Sequence, residues 1–449
     1  MPPLELLTND GETPMATAQL TKTPPQASAS DLAKREQRRI LRTALLYILP
    51  AAIIMLLITF WPLIYQLWMS FTEYSNHNLR TTNVLLQMWG TMTGNLQEYN
   101  SPPWVGLKNS IITLNGDLGN VLTGFDFWRI LLFNFVWTFV NLVLHVGIGV
   151  AVAVLLNQEG LKLKRFYRSL YIIPWAMPGL VSAMIWRNMF DDQSGAINQL
   201  IKSLGLPGNS RWLQQIDPPL SWIPPYVRVP EGSNAYFFLF VLIILLVVPY
   251  FFRWVRQHWL PFTLAWWIAM ELLFVGVLPL LLGGGPQSAE VVPLGSVFPL
   301  SFYAVLMTNV WLGWPFMMAI ATGALQSVPR ELYEAAEVDG SSGWYSFWNI
   351  TVPMIRPAMI PAIIIGMMMT FNQFSVFYFV SGGGPLHSTE ILVTQAYRLV
   401  NETTVNLPGV GNVRPYGIAA SFAYIVFIVL ATITLITNRV TRATESFSD

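Results

Sequence analysis

The sequence contains no cysteine among its 449 residues, and only 11% of these residues are charged. Without thiols the chain has neither disulfides nor thiolate metal sites. The shortage of charge excludes an ordinary soluble domain, in which roughly a quarter of the residues carry charge. A net charge of +1 gives no basic surface for nucleic acid. The low content of charged residues therefore favours a membrane protein.

Sequence patterns of catalysis are missing as well. No Gly-Lys dipeptide occurs, so the chain has no Walker A motif and cannot be its own P-loop ATPase. Neither a metal-ligand cluster nor a plausible Ser, His and Asp triad stands out in the sequence. We therefore expect no catalytic residue, no metal and no cofactor, and we expect that the chain is not an enzyme.

Long apolar runs occupy much of the sequence, of which 53% is hydrophobic. Runs of eighteen or more apolar residues are typical of membrane-spanning helices, whereas a β-barrel would show short alternating segments. The predicted spans are Leu45–Met69, Trp128–Leu156, Phe166–Phe190, Ala235–Phe252, Pro261–Leu282, Leu300–Leu325, Ala358–Val380 and Tyr416–Thr437. The predicted fold class is all-α, a polytopic membrane protein with about eight spans.

Positive residues orient the predicted spans, because Lys and Arg mark the cytoplasmic side of a membrane. Basic clusters occur at residues 34–42, just before the first span, and at 162–168, between the second and third. Residues 1–42 are predicted to be a disordered, basic cytoplasmic tail and 443–449 a short cytoplasmic tail. The segment 71–127 is then external, 326–357 is cytoplasmic, and both termini lie inside.

The most informative stretch outside the spans is the charged segment 326–357. Pro329 suits the first turn of a helix and Glu331 meets the positive end of its dipole. Gly340 can end this helix, and Trp344–Asn349 is predicted to form a second short helix that stops before Pro353. On these grounds alone the segment is either a helix lying on the membrane surface or a docking element for a partner.

The spacing within this segment resembles the EAA loop of permease subunits of bacterial ABC importers. Glu334, Ala335 and Ala336 are followed after three residues by Gly340, and after nine more by Ile-Thr-Val-Pro at 350–353. The resemblance implies a type I permease fold in a bacterial or archaeal cytoplasmic membrane. It also implies that Glu334, Ala335, Ala336 and Gly340 couple the chain to an ATPase subunit. The implied partners are a second homologous permease subunit, two ATP-binding subunits, an extracytoplasmic binding protein and membrane lipid.

Aromatic and amide side chains gather at three places within the spans. These places are residues 173–179, 309–316 and 370–373. A sugar needs such a combination, since its apolar ring face stacks on aromatics and its hydroxyl groups bond to amides. The alternative for each cluster alone is ordinary helix packing with proline kinks.

Further segments are similar to the large permease subunit of maltose-type importers, namely residues 71–75, 104–109, 174–178, 309–325, 382–385 and 389–393. The resemblance covers most of 45–195 and 300–442. The sugar-pocket positions of that subunit correspond here to Trp175, Gly179, Asn309, Leu312, Gly313, Phe316, Gly366, Thr370 and Gln373. The implied substrate is a di- or oligosaccharide.

This sequence departs from the maltose-type pattern in several ways. Gly179 and Gly366 stand where serines would, and Thr370 and Gln373 stand where asparagines would, so maltose itself is not predicted. The large external domain is replaced by the short segment 72–127. Residues 215–298 form an inserted hairpin on a six-span core, and no function is assigned to it.

Two other classes of transporter stay open at this point. Importers for glycerol phosphate, phosphate or polyamines carry looser versions of the same loop, although no Lys or Arg stands at the predicted pocket. A secondary transporter would need a coupling carboxylate within the membrane, and only Glu271 suggests one. For His145, which lies mid-span one turn after Asn141, we predict a polar contact between helices rather than a ligand role.

Overall fold

The computed structural model describes residues 29–445, except 81–82, 116–117, 119–121, 123–124, 159, 207, 209, 216–225, 294–297, 408–410 and most of 231–288. The chain divides after Ile64 into two compact units. The described helices are α1 (Ala29–Met55), α2 (Trp61–Ser70), α3 (Val84–Thr93), α4 (Lys108–Leu114), α5 (Phe127–Asn157), α6 (Lys164–Ala176), α7 (Gly179–Met189), α8 (Ala196–Ser203), α9 (Leu300–Gln326), α10 (Glu331–Val338), α11 (Gly343–Ser346), α12 (Val352–Phe371), α13 (Phe374–Val376), α14 (Leu392–Asn401) and α15 (Tyr416–Glu445).

Five helical stretches of the described chain are long and apolar enough to cross a membrane. They are Glu36–Ser70, Phe127–Asn157, Leu300–Gln326, Gly343–Ser381 and Tyr416–Ile436. A sixth candidate is the pair α6 and α7, which is bent by 90° at its break. The mostly helical, multi-span fold is confirmed, while the count of eight spans is not. The predicted spans Ala235–Phe252 and Pro261–Leu282, together with Glu271, lie almost wholly outside the described residues.

The predicted tail 1–42 is wrong over its last part, because α1 already begins at Ala29. The residues that follow, DLAKREQRRILR, are mostly good helix formers, so the apolar helix extends backward through the basic cluster. At the other end α15 continues to Glu445, beyond the predicted end of the last span at Thr437.

Two π-helical turns let the spanning helices continue through prolines. These turns, Leu56–Phe60 and Phe347–Thr351, each precede a proline by one residue, at Pro62 and Pro353. A proline ring clashes with the carbonyl four residues before it, and a wider turn relieves that contact. The predicted stop before Pro353 is therefore wrong, and the helix that contains the seventh predicted span begins at Gly343 rather than at Ala358.

The central core is built where α9 packs along α5 and α12. Gly149 of α5 allows a close approach of α9, since a Cβ there would lie 2.8 Å from the backbone nitrogen of Met318. Small residues at such crossings let helix backbones pack tightly within lipid. Asn134 fixes further neighbours, because its amide donates to the carbonyl of Phe371 and accepts from the N–H of Leu392.

Two short antiparallel ribbons add to the helices. Strands β3 (Val405–Leu407) and β4 (Gly411–Val413) form one of them in the predicted external loop. Strands β1 (Tyr226–Pro230) and β2 (Ala289–Pro293) form the other, with Tyr226 opposite Pro293. This second ribbon joins the two ends of the predicted insertion 215–298.

The described segments on both sides of β1 have defined structure. After α7 the Asp191 carboxylate accepts bonds from the N–H and the hydroxyl of Ser194, which hold its pKa below the ordinary value, and α8 follows. Beyond β1, Phe237 and Phe240 contact the Trp128 ring of α5, with 4.6 Å between the ring centroids of Trp128 and Phe237. The described start of the insertion thus packs on the core.

Candidate functional site

The first part of the candidate site is the break between α6 and α7. Pro174 lies within the last turns of α6, and Met177 is extended at ψ 139° because it precedes Pro178. Helix α7 then starts at Gly179 and runs at 90° to α6. The sequence predicted a kinked single span here, and the structure has two helices instead. Such interruptions open backbone N–H and C=O groups inside a membrane domain.

A second break separates α12 from α13. Helix α12 ends at Phe371, Asn372 caps it, and the chain turns at Gln373 before the helix resumes at Phe374. The Asn372 amide bonds back to the carbonyl of Met368. Among the residues that the structure describes, the half-buried Gln373 side chain makes no hydrogen bond. An unused amide therefore lies directly at the break.

The two breaks face each other. A Cβ at Gly179 would lie 3.9 Å from the Cβ of Ser375, so that no larger side chain separates the start of α7 from α13. Beside this contact the Trp175 ring stacks on Phe316, with centroids 5.9 Å apart and planes at 27°. Because 52% of Trp175 is exposed, the pair presents an aromatic surface next to open backbone groups.

Other predicted pocket residues point into the helix packing rather than toward this surface. Leu312 belongs to the buried core, a Cβ at Gly366 would touch Met317, and the buried Thr370 accepts a bond from the Trp137 indole through its carbonyl. The pocket therefore stays a prediction. Its accessible described members are Trp175, Gly179, Gly313, Phe316 and Gln373, because each retains exposed surface.

A buried polar contact joins α5 to α9, as predicted for His145 and Asn141. The Asn309 amide donates to Asn141 Oδ1 at 2.8 Å, and His145 Nε2 lies 3.0 Å from the Asn309 carbonyl. Gly313 leaves room for the imidazole, since any Cβ there would overlap the His145 ring. Asn309 thus uses its amide inside the protein, which the sequence did not reveal.

The second candidate site is the predicted coupling segment, residues 326–357, whose helix α10 ends at a full Schellman motif. The N–H of Gly340 donates to the carbonyl of Glu337, and the N–H of Ser341 donates to that of Ala336. Gly340 itself is left-handed with φ +75°, as the motif requires. The predicted end of this helix at Gly340 is confirmed.

An open concavity of about 720 Å³ lies on this segment, between α10 and α11. It is lined by Leu332, Ala335, Ala336, Asp339, Gly340, Ser341, Ser342, Tyr345 and Ile350. Glu334 is exposed at the start of α10 but does not line the concavity. Three of the four predicted coupling residues thus meet at one surface, and their role stays a prediction.

One residue that sequence analysis missed ties this segment to the membrane helices. Tyr333 packs on the core cluster around Met317, and its hydroxyl lies 2.9 Å from that of the buried Thr351. The two residues are eighteen positions apart, and no local pattern signals such a pair. Helix α10 is therefore attached to the helical stretch that leads to Gln373.

Comparisons with known proteins agree with this architecture. Residues 145–443 match the family model of the binding-protein-dependent transport system inner membrane component. The chain is 26% identical over 402 residues to the maltodextrin transport system permease protein MalC of Streptococcus pneumoniae, covering 87% of this chain and 67% of that protein. It is also 26% identical over 366 residues to the galactooligosaccharides transport system permease protein GanP of Bacillus subtilis, covering 78% and 63%.

A solved structure shares the fold. It is that of a bacterial ABC transporter involved in the import of the acidic polysaccharide alginate, with a TM-score of 0.54 and 16% identity over 91% of this chain and 99% of that chain. At this identity the likeness concerns the fold alone. The match over 145–443 covers more than half of the sequence. The chain is therefore a multi-pass protein of the cytoplasmic membrane that belongs to the family of binding-protein-dependent transport system inner membrane components.

Proposed function

We propose that the chain is a permease subunit of an ATP-driven importer whose substrate is a neutral di- or oligosaccharide. In this proposal an extracytoplasmic binding protein delivers the sugar. A second homologous permease subunit completes the pathway, and two ATP-binding subunits supply the energy. The resemblance of segment 326–357 to the EAA loop and the family match support the assembly, and the relatives named for maltodextrin and galactooligosaccharides support the substrate class.

The observation that carries the proposal is the pair of facing helix breaks with an aromatic surface beside them. The Trp175 and Phe316 rings offer a face on which a pyranose ring stacks. The free amide of Gln373 and the first N–H groups of α7 offer hydrogen bonds to its hydroxyl groups. None of the nine predicted pocket positions carries a charge, so a carboxylated sugar such as alginate lacks a counter-charge there.

Coupling follows from the attachment of α10. When the ATP-binding subunits close, they move the helix that contacts them. The Tyr333–Thr351 contact passes this movement to a helical stretch that is continuous from Gly343 to Phe371. That stretch ends at the break that holds Gln373. A rigid-body shift of this kind would alternately open the pathway to the two sides of the membrane.

The test is transport by the complete importer in lipid vesicles, with labelled maltodextrins, galactooligosaccharides and alginate oligosaccharides as substrates. We expect uptake of a neutral saccharide that requires ATP and the binding protein and is unaffected by a protonophore. Uptake of alginate fragments alone would contradict the neutral pocket. Uptake that survives without ATP and collapses with the protonophore would instead make the chain a secondary transporter.

A further inference from the structure

The external helix α3 is amphipathic in the reverse of the usual sense. Its buried side is polar, where the Gln87 amide donates to the Asn78 carbonyl and the Thr91 hydroxyl donates to the Pro102 carbonyl. Its outward side is apolar, with Leu85 62%, Trp89 59% and Met92 74% exposed. No residue of α3 is charged. A helix that turns its apolar side outward is placed in a surrounding medium that is itself apolar.

Contacts of α3 fix its depth along the spans. The Tyr74 hydroxyl donates to Gln87 Oε1 at 3.5 Å, and it accepts a hydrogen bond from the Tyr65 hydroxyl at 2.8 Å. Tyr65 and Trp68 belong to α2, and the Trp68 and Tyr74 ring centroids are 5.7 Å apart. Tyr65 lies five residues before the end of α2, or roughly 7–8 Å inside it at 1.5 Å per residue. The helix is therefore tethered beside the last turns of a spanning helix.

Helix α4, which follows α3 in the same segment, also contacts the ends of spanning helices. The Asn109 amide donates to the carbonyls of Ser70 and Thr72, at the end of α2. The Ser110 hydroxyl lies 2.8 Å from that of Ser421, which is five residues inside α15. Helix α4 thus lies along the ends of two spans instead of projecting away from the membrane.

These ends lie on the side opposite to the coupling segment. Helix α9 runs toward the coupling segment, and the stretch Gly343–Ser381 returns to the opposite side of the membrane. Helix α15 starts on that opposite side. Trp104, Leu107 and Ile111 are further exposed apolar side chains of the same external segment. Tryptophan is enriched where lipid headgroups meet the hydrocarbon.

We propose that the apolar side of α3, formed by Leu85, Leu86, Trp89 and Met92, is embedded in the headgroup and acyl boundary of the outer leaflet. Lipid is the occupant because the helix is linked through Tyr74 to the last turns of a spanning helix, and because its outward side is apolar and carries no charge. Because this side is uncharged, α3 binds the lipid interface by burial of apolar side chains rather than by attraction to anionic headgroups. The proposal depends on the membrane location of the chain and not on the substrate.

Site-directed spin labelling tests this directly, and the absence of native cysteine makes each label unique within this chain. Met92→Cys and Leu85→Cys place a nitroxide on the apolar side. Asn95→Cys is the matched control, since it follows the left-handed turn at Gly94 and is exposed. The complete permease is reconstituted in vesicles of phosphatidylethanolamine and phosphatidylglycerol. Collision rates are then measured with oxygen, which enters lipid, and with a nickel chelate, which stays in water.

We expect an oxygen-to-nickel ratio at Met92 and Leu85 several-fold above the ratio at Asn95. Two positions are labelled so that one poorly folding variant does not decide the result. Equal ratios at all three positions would overturn the proposal. Equal ratios combined with loss of label mobility on adding the binding protein would assign the surface to that protein instead.

Discussion

Single amides in the membrane domain have two different roles, which substitution can separate. Gln373 has an unused, half-buried amide at the α12 break, whereas Asn309 is buried and bonded to Asn141. We expect Gln373→Ala to lower sugar uptake with little change in thermal stability. Asn309→Ala should lower both, because it leaves Asn141 Oδ1 without its donor, at a cost of about 0.6–1.7 kcal/mol.

The neighbouring amide supplies the control for this comparison. Asn372→Ala removes a side chain of the same chemistry whose amide bonds to its own helix at Met368. Uptake assays should show wild-type substrate affinity for this variant, and thermal unfolding in detergent should show a wild-type melting temperature. If Asn372→Ala weakened uptake as much as Gln373→Ala does, the effect would come from the shape of the break and not from the Gln373 amide.

Gly313 is expected to act through His145. Gly313→Ala places a methyl group where the imidazole lies, and overpacking of this kind costs about 1–3 kcal/mol. Gly323 of the same helix has open space around it, so Gly323→Ala should leave thermal stability unchanged or raise it by about 0.5–1 kcal/mol. Thermal unfolding of the two purified variants checks this. Equal melting temperatures would show that His145 yields without cost.

At the level of elements, the coupling helix depends on how its C-terminal end is made. Gly340→Ala introduces a Cβ into open space but at φ +75°, which costs roughly 1–2 kcal/mol for an L-residue. We expect the last turn of α10 to loosen and uptake to fall while membrane insertion stays intact. Glu334→Lys, at the positive end of α10, should act in the same direction.

A nearby glycine provides the control for this effect. Gly343 also has open space around it but starts a helix without a positive φ, so Gly343→Ala should transport normally. Uptake and ATP hydrolysis are measured together on the reconstituted importer. Full uptake by both Gly340→Ala and Glu334→Lys would remove the docking role from α10.

How far the sequence predicted these elements depends on how local their causes are. The spans predicted at Trp128–Leu156 and Leu300–Leu325 and the turn at Gly340 are set by adjacent residues, and they were predicted correctly. The continuation of the helix through Pro353 was not predicted, because a π-helical turn is a local response to the proline and has no sequence pattern of its own. The sequence did not predict the 90° bend at Pro178 for a similar reason. Two prolines indicate an interruption of the helix, but the packing of the two helices sets the angle between them. The Asn309–Asn141 pair joins residues 168 positions apart and has no local signal.

For the molecule as a whole, the ribbon β1–β2 predicts that the insertion can be removed. Paired residues such as Pro230 and Ala289 have Cα atoms about 4.5–5.5 Å apart, a distance that a two-residue turn closes. We expect a variant in which Asn-Gly replaces 231–288 to insert in the membrane and transport sugar. Its melting temperature should fall, because Trp128 loses its contacts with Phe237 and Phe240.

Replacement of the same residues by a flexible Gly-Ser stretch of equal length is the control for this deletion. Loss of uptake in both variants, with normal membrane levels, would show that the insertion takes part in transport. Loss of uptake in the Asn-Gly variant alone would mean that the ribbon requires a longer connection between its two strands.

The same ribbon bears on how such a protein changes over generations. A segment that departs and returns through paired positions alters neither the order nor the direction of the helices on either side. Extra chain can accumulate there, diverge or be lost while α10 keeps its place between α9 and the helical stretch Gly343–Ser381. The ribbon thus lets the insertion vary while the helices that carry the predicted coupling segment keep their order and direction.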